Sequence, residues 1–190
     1  MRLIYGNLFD PTTYRFVDGR PVPIKPSAIV ITTNGFVKKT GDAVMGRGCA
    51  KAATDIDPRL PLALGKAIKA NGNRVQIIGT HLGMHPIVSF PVKPSLAICT
   101  ENKSNVVKHM QGRMTVNKRV PGWACIADLK LITRSARQLV ELSNKKEWAS
   151  VVIPRPGCGA GELDWDIVKP VLDSILDDMF YSITFGGIHR

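Results

Sequence analysis

Short apolar or β-branched runs recur along the chain at residues 2–5, 28–33, 74–79, 87–92, 150–153 and 181–185, each with the length and composition of a strand. Between them lie segments of helical character. Residues 48–54 and 60–70 are rich in Ala, Leu and Lys. Asp128 is placed to N-cap a helix in which Leu129, Ile132, Ala136, Leu139 and Val140 share one face. A further stripe, Val168, Val171, Leu172, Ile175, Leu176 and Met179, predicts a helix over 168–179 with Pro170 in its first turn, where a missing N–H costs least. Strand and helix in alternation predict an α/β fold, a three-layer α/β/α sandwich around a mixed central sheet.

Two stretches break this rhythm. Residues 9–26 carry Pro11, Pro21, Pro23 and Pro26 and read as an ordered crossing loop. Residues 95–127 form a long, mostly polar excursion between the strand ending at Val92 and the helix opening at Asp128. A segment of that length without elements of its own is uncommon in a compact domain unless it is a lid, a binding loop or disordered. The expectation is a single domain over 1–190 with a basic insertion at about 95–127.

Length and charge narrow the class. At 190 residues the chain is long enough to bury a core without disulfide or metal support. No apolar run approaches the ~20 residues of a membrane span, and Gly6 interrupts the N-terminus before a signal-like core forms. A cytoplasmic protein with no membrane partner is expected. The four cysteines, at 49, 99, 125 and 158, form no Cys-x-x-Cys pair, so buried thiols are expected and no metal or other cofactor is signalled. His81 and His85 lie in a turn without convincing metal spacing, and His109, in the excursion, could approach a ligand but reads first as a surface residue. The net charge of +11 is uneven. Lys93, Lys103, Lys108, Arg113, Lys118 and Arg119 against Glu101 put +5 into residues 93–119, leaving +6 for the other 163 positions, while 162–178 is acidic.

The strongest local signal is Val151-Val152-Ile153-Pro154-Arg155-Pro156-Gly157-Cys158-Gly159-Ala160-Gly161, a buried strand running into three alternating glycines and a helix. Such a loop turns backbone N–H groups toward one point and admits a phosphate at a helix N-terminus. A second glycine loop follows the strand at 28–33: Thr32-Thr33-Asn34-Gly35, then Gly41-Asp42-Ala43-Val44-Met45-Gly46-Arg47-Gly48, then a helix from about Cys49. Neither matches the P-loop or the dinucleotide fingerprint. Two loops at the carboxyl ends of neighbouring strands suit a diphosphate with a group at each end.

In combination, Ile31-Thr32-Thr33-Asn34-Gly35, Val44-Met45-Gly46-Arg47-Gly48, Phe90-Pro91-Val92-Lys93 and Pro154 through Trp165 resemble a macro domain, the ADP-ribose-binding fold, most nearly the subgroup of the terminal ADP-ribose protein glycohydrolase and of macro proteins from bacteria and their phages. The resemblance spans residues 3–185 apart from 95–127. It implies that Asn7 and Leu8 correspond to the adenine-side segment, where many macro domains carry Gly-Asp. Asn7 retains an acceptor there but not the charge. It implies that Thr33 and Asn34 lie near the distal ribose, and that Gly46, Arg47, Gly48 and Cys49 bend over ribose and diphosphate. Pro156, Gly157, Cys158, Gly159, Ala160 and Gly161 then form the second phosphate loop.

The same resemblance implies that Lys93 corresponds to the glycohydrolase lysine that attacks the anomeric carbon of the distal ribose. Burial beside Phe90 and a cation such as Arg155 are expected to lower its pKa. The glycohydrolase also has an aspartate two residues before the leucine of its Leu-x-Trp motif, where this chain has Gly161. Glu162 and Asp164 are the neighbouring candidates for proton transfer, Asp164 also being a candidate helix N-cap. Trp165 is expected to pack in the core. Three readings follow: a hydrolase acting at the distal ribose of an ADP-ribosyl ester or of ADP-ribose 1″-phosphate, a non-catalytic ADP-ribose-binding module, and a basic nucleic-acid-binding protein. The partner expected is ADP-ribose or an ADP-ribosylated macromolecule. Nucleic acid is the least favoured, because the excursion lacks interleaved aromatics.

Overall fold

The computed structural model describes residues 1–185, so the last five residues of the expected 1–190 domain lie outside the described residues. A seven-stranded mixed sheet forms from β1 (Arg2–Asn7), β2 (Asp10–Phe16), β3 (Ala28–Asn34), β4 (Gln76–His81), β5 (His85–Lys93), β8 (Val151–Pro154) and β9 (Phe180–Thr184) in the order β2-β1-β9-β8-β3-β5-β4. The five inner strands are mutually parallel, and β2 and β4 run antiparallel at the two edges.

The central strands are apolar on both sides because both faces are covered. Along β3, Ile29 and Ile31 enter one core with Ala50 and Ala53 of α1 (Gly48–Ile56) and Leu60 and Leu64 of α2 (Leu60–Asn71). Ala28 and Val30 enter the other, with Ile132, Ala136 and Leu139 of α3 (Leu129–Lys145) and Val168 and Leu172 of α4 (Trp165–Asp173). The period of two along the strand thus divides one sequence between two helical layers. Among the described residues, no helix is long and apolar enough to cross a membrane.

Three expectations need correction. The stretch at 9–26 contains the strand β2, paired with β1, and is not only a crossing loop. Its Asp-Pro-Thr-Thr start has no apolar alternation, and Pro11 is tolerated because the strand is at an edge. Tyr14 is fully buried there and donates its hydroxyl to the Leu8 carbonyl at 2.7 Å. Second, α4 runs from Trp165 to Asp173 instead of from 168 to 179: its first turn carries the exposed Asp166 and Ile167 ahead of the inward stripe, and Ile175, Leu176 and Met179 of that stripe follow the helix in turns and irregular chain that still pack on the same core. Pro170 is therefore inside the helix and not in its first turn, its ring directed to solvent.

Third, the excursion at 95–127 is neither structureless nor a simple lid. It pairs β6 (Leu96–Ile98) with β7 (Arg119–Pro121) in an antiparallel hairpin, adds 3-10 turns at Lys108–Arg113 and Gly122–Ala124, and closes over a small core of Cys99, Val106, Val107, Met110, Val120, Ala124 and Cys125. Those apolar residues follow no helical or strand period, which hid the module from a pattern reading. A backbone bond fastens it to the main body, Ala127 N–H to the Gly161 carbonyl at 2.9 Å, and two more hold the chain on either side of it, Gly35 N–H to Pro94 O at 3.2 Å and Asp128 N–H to Val92 O at 2.8 Å.

Candidate functional site

Parallel strands leave their carboxyl ends and connecting loops on one edge of the sheet, and a cleft of about 680 Å³ opens there among the ends of β3, β5, β8 and β9. One wall is the loop from Val44 to Gly48 running into α1, the opposite wall the loop from Arg155 to Gly161 running toward α4, and the 95–127 module contributes His109, Met110 and Trp123.

Both loops present undonated backbone. At the start of α1 the N–H groups of Gly48, Cys49 and Ala50 precede any intrahelical acceptor. Among the described residues, the N–H groups of Gly159, Ala160 and Gly161 donate to no protein acceptor. The loop holds its shape internally: Leu163 N–H donates to Gly157 O and Glu162 N–H to Gly159 O, both at 3.0 Å. Gly157 has φ +78°, a conformation glycine adopts without steric cost. Gly161 is required for space. A Cβ there meets the Gly157 carbonyl oxygen and lies 2.7 Å from Ala127 Cβ, so no acid fits where the glycohydrolase resemblance calls for one.

Thirteen of the expected site residues line the cleft: Thr33, Asn34, Gly46, Arg47, Gly48, Cys49, Lys93, Gly157, Cys158, Gly159, Ala160, Gly161 and Asp164. Asn34 braces the first loop, its amide donating to Val44 O at 2.8 Å and its Oδ1 accepting from Phe36 N–H at 3.0 Å. Thr33 Oγ1 is buried without a protein partner. Cys49 is fixed by Thr32, whose N–H reaches its sulfur at 3.3 Å, and burial raises its pKa. Burial also pushes Cys158 up to about 11, so both thiols stay protonated near neutral pH.

Lys93 ends β5 and is 6% exposed. Its Nζ donates to Ala160 O at 2.7 Å and to Trp123 O at 3.4 Å. Burial brings its pKa down to about 8, with Cys125 and Glu162 opposing the shift and Arg47 assisting it. The assisting cation is thus Arg47, not the expected Arg155. Asp164 occupies the N-cap position of α4, yet its carboxylate accepts no cap hydrogen bond and stays exposed at the cleft.

Four expected residues do not line the cleft. Asn7 uses Oδ1 to accept the Phe9 N–H at 3.1 Å and shapes the β1–β2 turn. Leu8 is fully buried in the core beneath α1 and α2. Pro156 is buried behind its loop. Glu162, at φ +60°, aims both carboxylate oxygens at the Lys108 N–H, at 3.0 and 3.1 Å.

Pattern reading also missed contributors. Trp165 packs partly against the core but lines the cleft too, with the Arg155 guanidinium 4.9 Å above its ring. Arg155 Nε is buried without a protein partner. His109, expected at the surface, is exposed but faces the cleft, and the half-exposed ring of Phe185 stands at the end of β9. Among the described residues, no group of three or more His, Cys, Asp or Glu comes together.

The chain matches no protein-family model and no curated protein. Its fold is similar to solved structures. The macrodomain of Mycobacterium tuberculosis DarG shares 21% identity at TM-score 0.62, covering 98% of each chain. The macrodomain of Thermus aquaticus DarG shares 19% at TM-score 0.61, covering 97% of each. Thermosipho africanus DarTG in complex with ADP-ribose shares 18% at TM-score 0.58, covering 85% of this chain and 38% of that one.

Proposed function

We propose that this chain, which has the macrodomain fold, binds ADP-ribose or a derivative in the cleft and hydrolyses a bond at the distal ribose. The observation that carries the reading is the convergence on one cleft of two loops with undonated N–H groups, the cations Arg47 and Arg155, the buried Lys93 amine and the exposed Asp164 carboxylate. Free N–H groups at a helix start and in a glycine loop match the oxygens of a diphosphate. Supporting it, the similar Thermosipho africanus DarTG was solved with ADP-ribose bound.

In the proposed reaction the unprotonated Lys93 amine attacks the anomeric carbon of the distal ribose. The bond from that carbon to the acceptor oxygen breaks and its electron pair leaves with the acceptor. The nitrogen of the new C–N bond keeps its proton and the positive charge, so that it can leave again as a neutral amine, taking the C–N electron pair, when water attacks. Asp164 supplies a proton to a basic leaving group, or takes one from the water that then attacks the same carbon and frees the lysine. At pH 7 a pKa of about 8 leaves about one amine in ten unprotonated. Ala160 O and Trp123 O hold the nitrogen in place.

A non-catalytic binding module is the second reading, favoured by the steric exclusion of any acid at Gly161. Calorimetry with ADP-ribose tests binding, and the absence of heat overturns both readings. Turnover of glutamate-linked ADP-ribosyl protein and of ADP-ribose 1″-phosphate by wild type and Lys93→Ala separates them. Turnover of neither substrate by wild type leaves the binding module.

A further inference from the structure

We propose that Glu162 is a positioning residue whose carboxylate latches the 95–127 module onto the second glycine loop, and that the latch holds the Lys93 amine in the seam between the two. The inference rests on the reading of Lys93 as the reacting amine, but the geometry it uses is independent of any substrate.

Both Glu162 oxygens converge on one donor, the backbone N–H of Lys108, at 3.0 and 3.1 Å. That N–H opens the 3-10 turn Lys108–Arg113, so its donor has no partner within the turn, and the bond is charge-assisted. Glu162 makes this contact from φ +60°, an uncommon conformation for a residue with a side chain. A second tie, Ala127 N–H to Gly161 O at 2.9 Å, joins the same two bodies one residue away.

The lysine lies across this seam. Its nitrogen donates to Ala160 O on the glycine loop and to Trp123 O on the module. If the two bodies part, one of those acceptors is withdrawn and water reaches the amine. The residues next to the latch, His109 and Met110, face the cleft, so the latch also sets that wall. A direct proton-transfer role for Glu162 fits poorly, because it does not line the cleft and both of its oxygens are engaged.

The charged and titratable groups acting on Lys93 are Cys125, Glu162 and Arg47, and desolvation outweighs them. Loss of the latch and loss of the carboxylate charge therefore move the amine in opposite directions. Opening the seam relieves desolvation and raises the Lys93 pKa. Neutralising Glu162 with the seam closed removes an attraction for the ammonium form and lowers it.

The test is a titration of Lys93 by NMR of the full chain carrying 13C-labelled lysine, without ligand, alongside amide exchange at residue 108 where an amide remains. Glu162→Gln keeps an acceptor for the N–H and drops the charge. Residue 108 stays protected and the Lys93 pKa falls. Lys108→Pro keeps the charge and removes the N–H, at a position where Val107, with φ −59° and ψ 140°, already suits a following proline. Here the Lys93 pKa rises, whereas Lys108→Ala, which retains the N–H, leaves it in place. Glu162→Ala titrates above Glu162→Gln and loses protection at 108. If Lys108→Pro leaves Lys93 unmoved, or Glu162→Gln and Lys108→Pro shift it the same way, the latch is overturned. The two informative variants do not depend on Glu162→Ala folding. Because the titration needs no turnover, an inactive wild type bears on the hydrolase reading while the latch stands or falls by the NMR result.

Discussion

Asn34 and Lys93 stand opposite one another at the carboxyl ends of the parallel β3 and β5, each the last residue of its strand, just past a shift in register after Thr33. The residue that braces the first glycine loop and the residue with the perturbed amine are therefore set by the same ladder of backbone bonds. A ligand held by the loop is brought to the amine by the sheet itself, a rigid element.

For Lys93 the expected pH dependence has two parts. Turnover rises as the amine deprotonates and levels above about pH 8. Stability follows linkage: the folded pKa lies below the ordinary value of 10.5, so between about pH 8 and 10.5 the unfolded chain binds a proton that the folded one does not. Relative to Lys93→Met, wild-type stability accordingly rises with pH through that window, by about 2 kcal/mol after allowance for solvent screening, the opposing effect of the raised Cys49 and Cys158 thiols being common to both proteins. Lys93→Met is expected to lose turnover and to lack this rise. Urea unfolding of both proteins at pH 7.5 and 10.5 checks it, and parallel curves would refute the buried-amine assignment.

Asp164 sits at a helix start without serving it, so removing its charge is expected to separate activity from stability. Asp164→Asn lowers kcat by about a hundredfold or more while changing stability by less than about 1 kcal/mol. Steady-state kinetics and thermal melts of the one variant suffice. An unchanged kcat assigns the proton transfer to water or to His109.

Gly159 and Gly161 are expected to respond in opposite ways. A Cβ at Gly159 has nothing within 4 Å and needs no unusual φ, so Gly159→Ala folds normally and adds a methyl group to a loop that lines the cleft. ADP-ribose affinity then drops by about tenfold, roughly 1.4 kcal/mol. At Gly161 the Cβ collides with the Gly157 carbonyl and Ala127, and Gly161→Ala loses about 1–3 kcal/mol of stability. Calorimetry on the first and melting on the second decide the matter. Normal affinity in Gly159→Ala would place the ligand away from that loop.

Much of this arrangement was legible because it is local. The apolar runs of β3, β5 and β8 are strands buried on both faces, and Asp128 caps α3 as its position suggested, accepting from Lys130 N–H at 2.8 Å and Leu131 N–H at 3.4 Å. The two glycine loops likewise reach the same edge through strand order alone. What stayed hidden depends on contacts distant in sequence. Nothing near Trp123 or His109 signals that an aperiodic module folds against β5 and faces the cleft. Glu162 and Asp164 are two residues apart and were both candidates for proton transfer, yet the first binds the Lys108 N–H and the second faces the cleft, a division set by residue 108, far off in sequence.

Arg155 carries the last prediction. Its guanidinium lies over the Trp165 ring, and its Nε is buried without a protein acceptor, an arrangement that is costly unless something else accepts that proton. The Arg155 side chain also lines the cleft, where a phosphate is its natural partner, since an aromatic face holds the planar guanidinium fork in one orientation. Lysine retains the charge but loses both the stack and the planar donors. Arg155→Lys is therefore expected to weaken ADP-ribose binding by about tenfold at low salt, corresponding to about 1.4 kcal/mol, with Trp165→Ala losing a comparable amount as the guanidinium is released. The double variant should lose less than the sum, because both changes remove the same stack. Full additivity in calorimetry would mean that Arg155 and Trp165 contact the ligand independently, and the stack would then have no part in recognition.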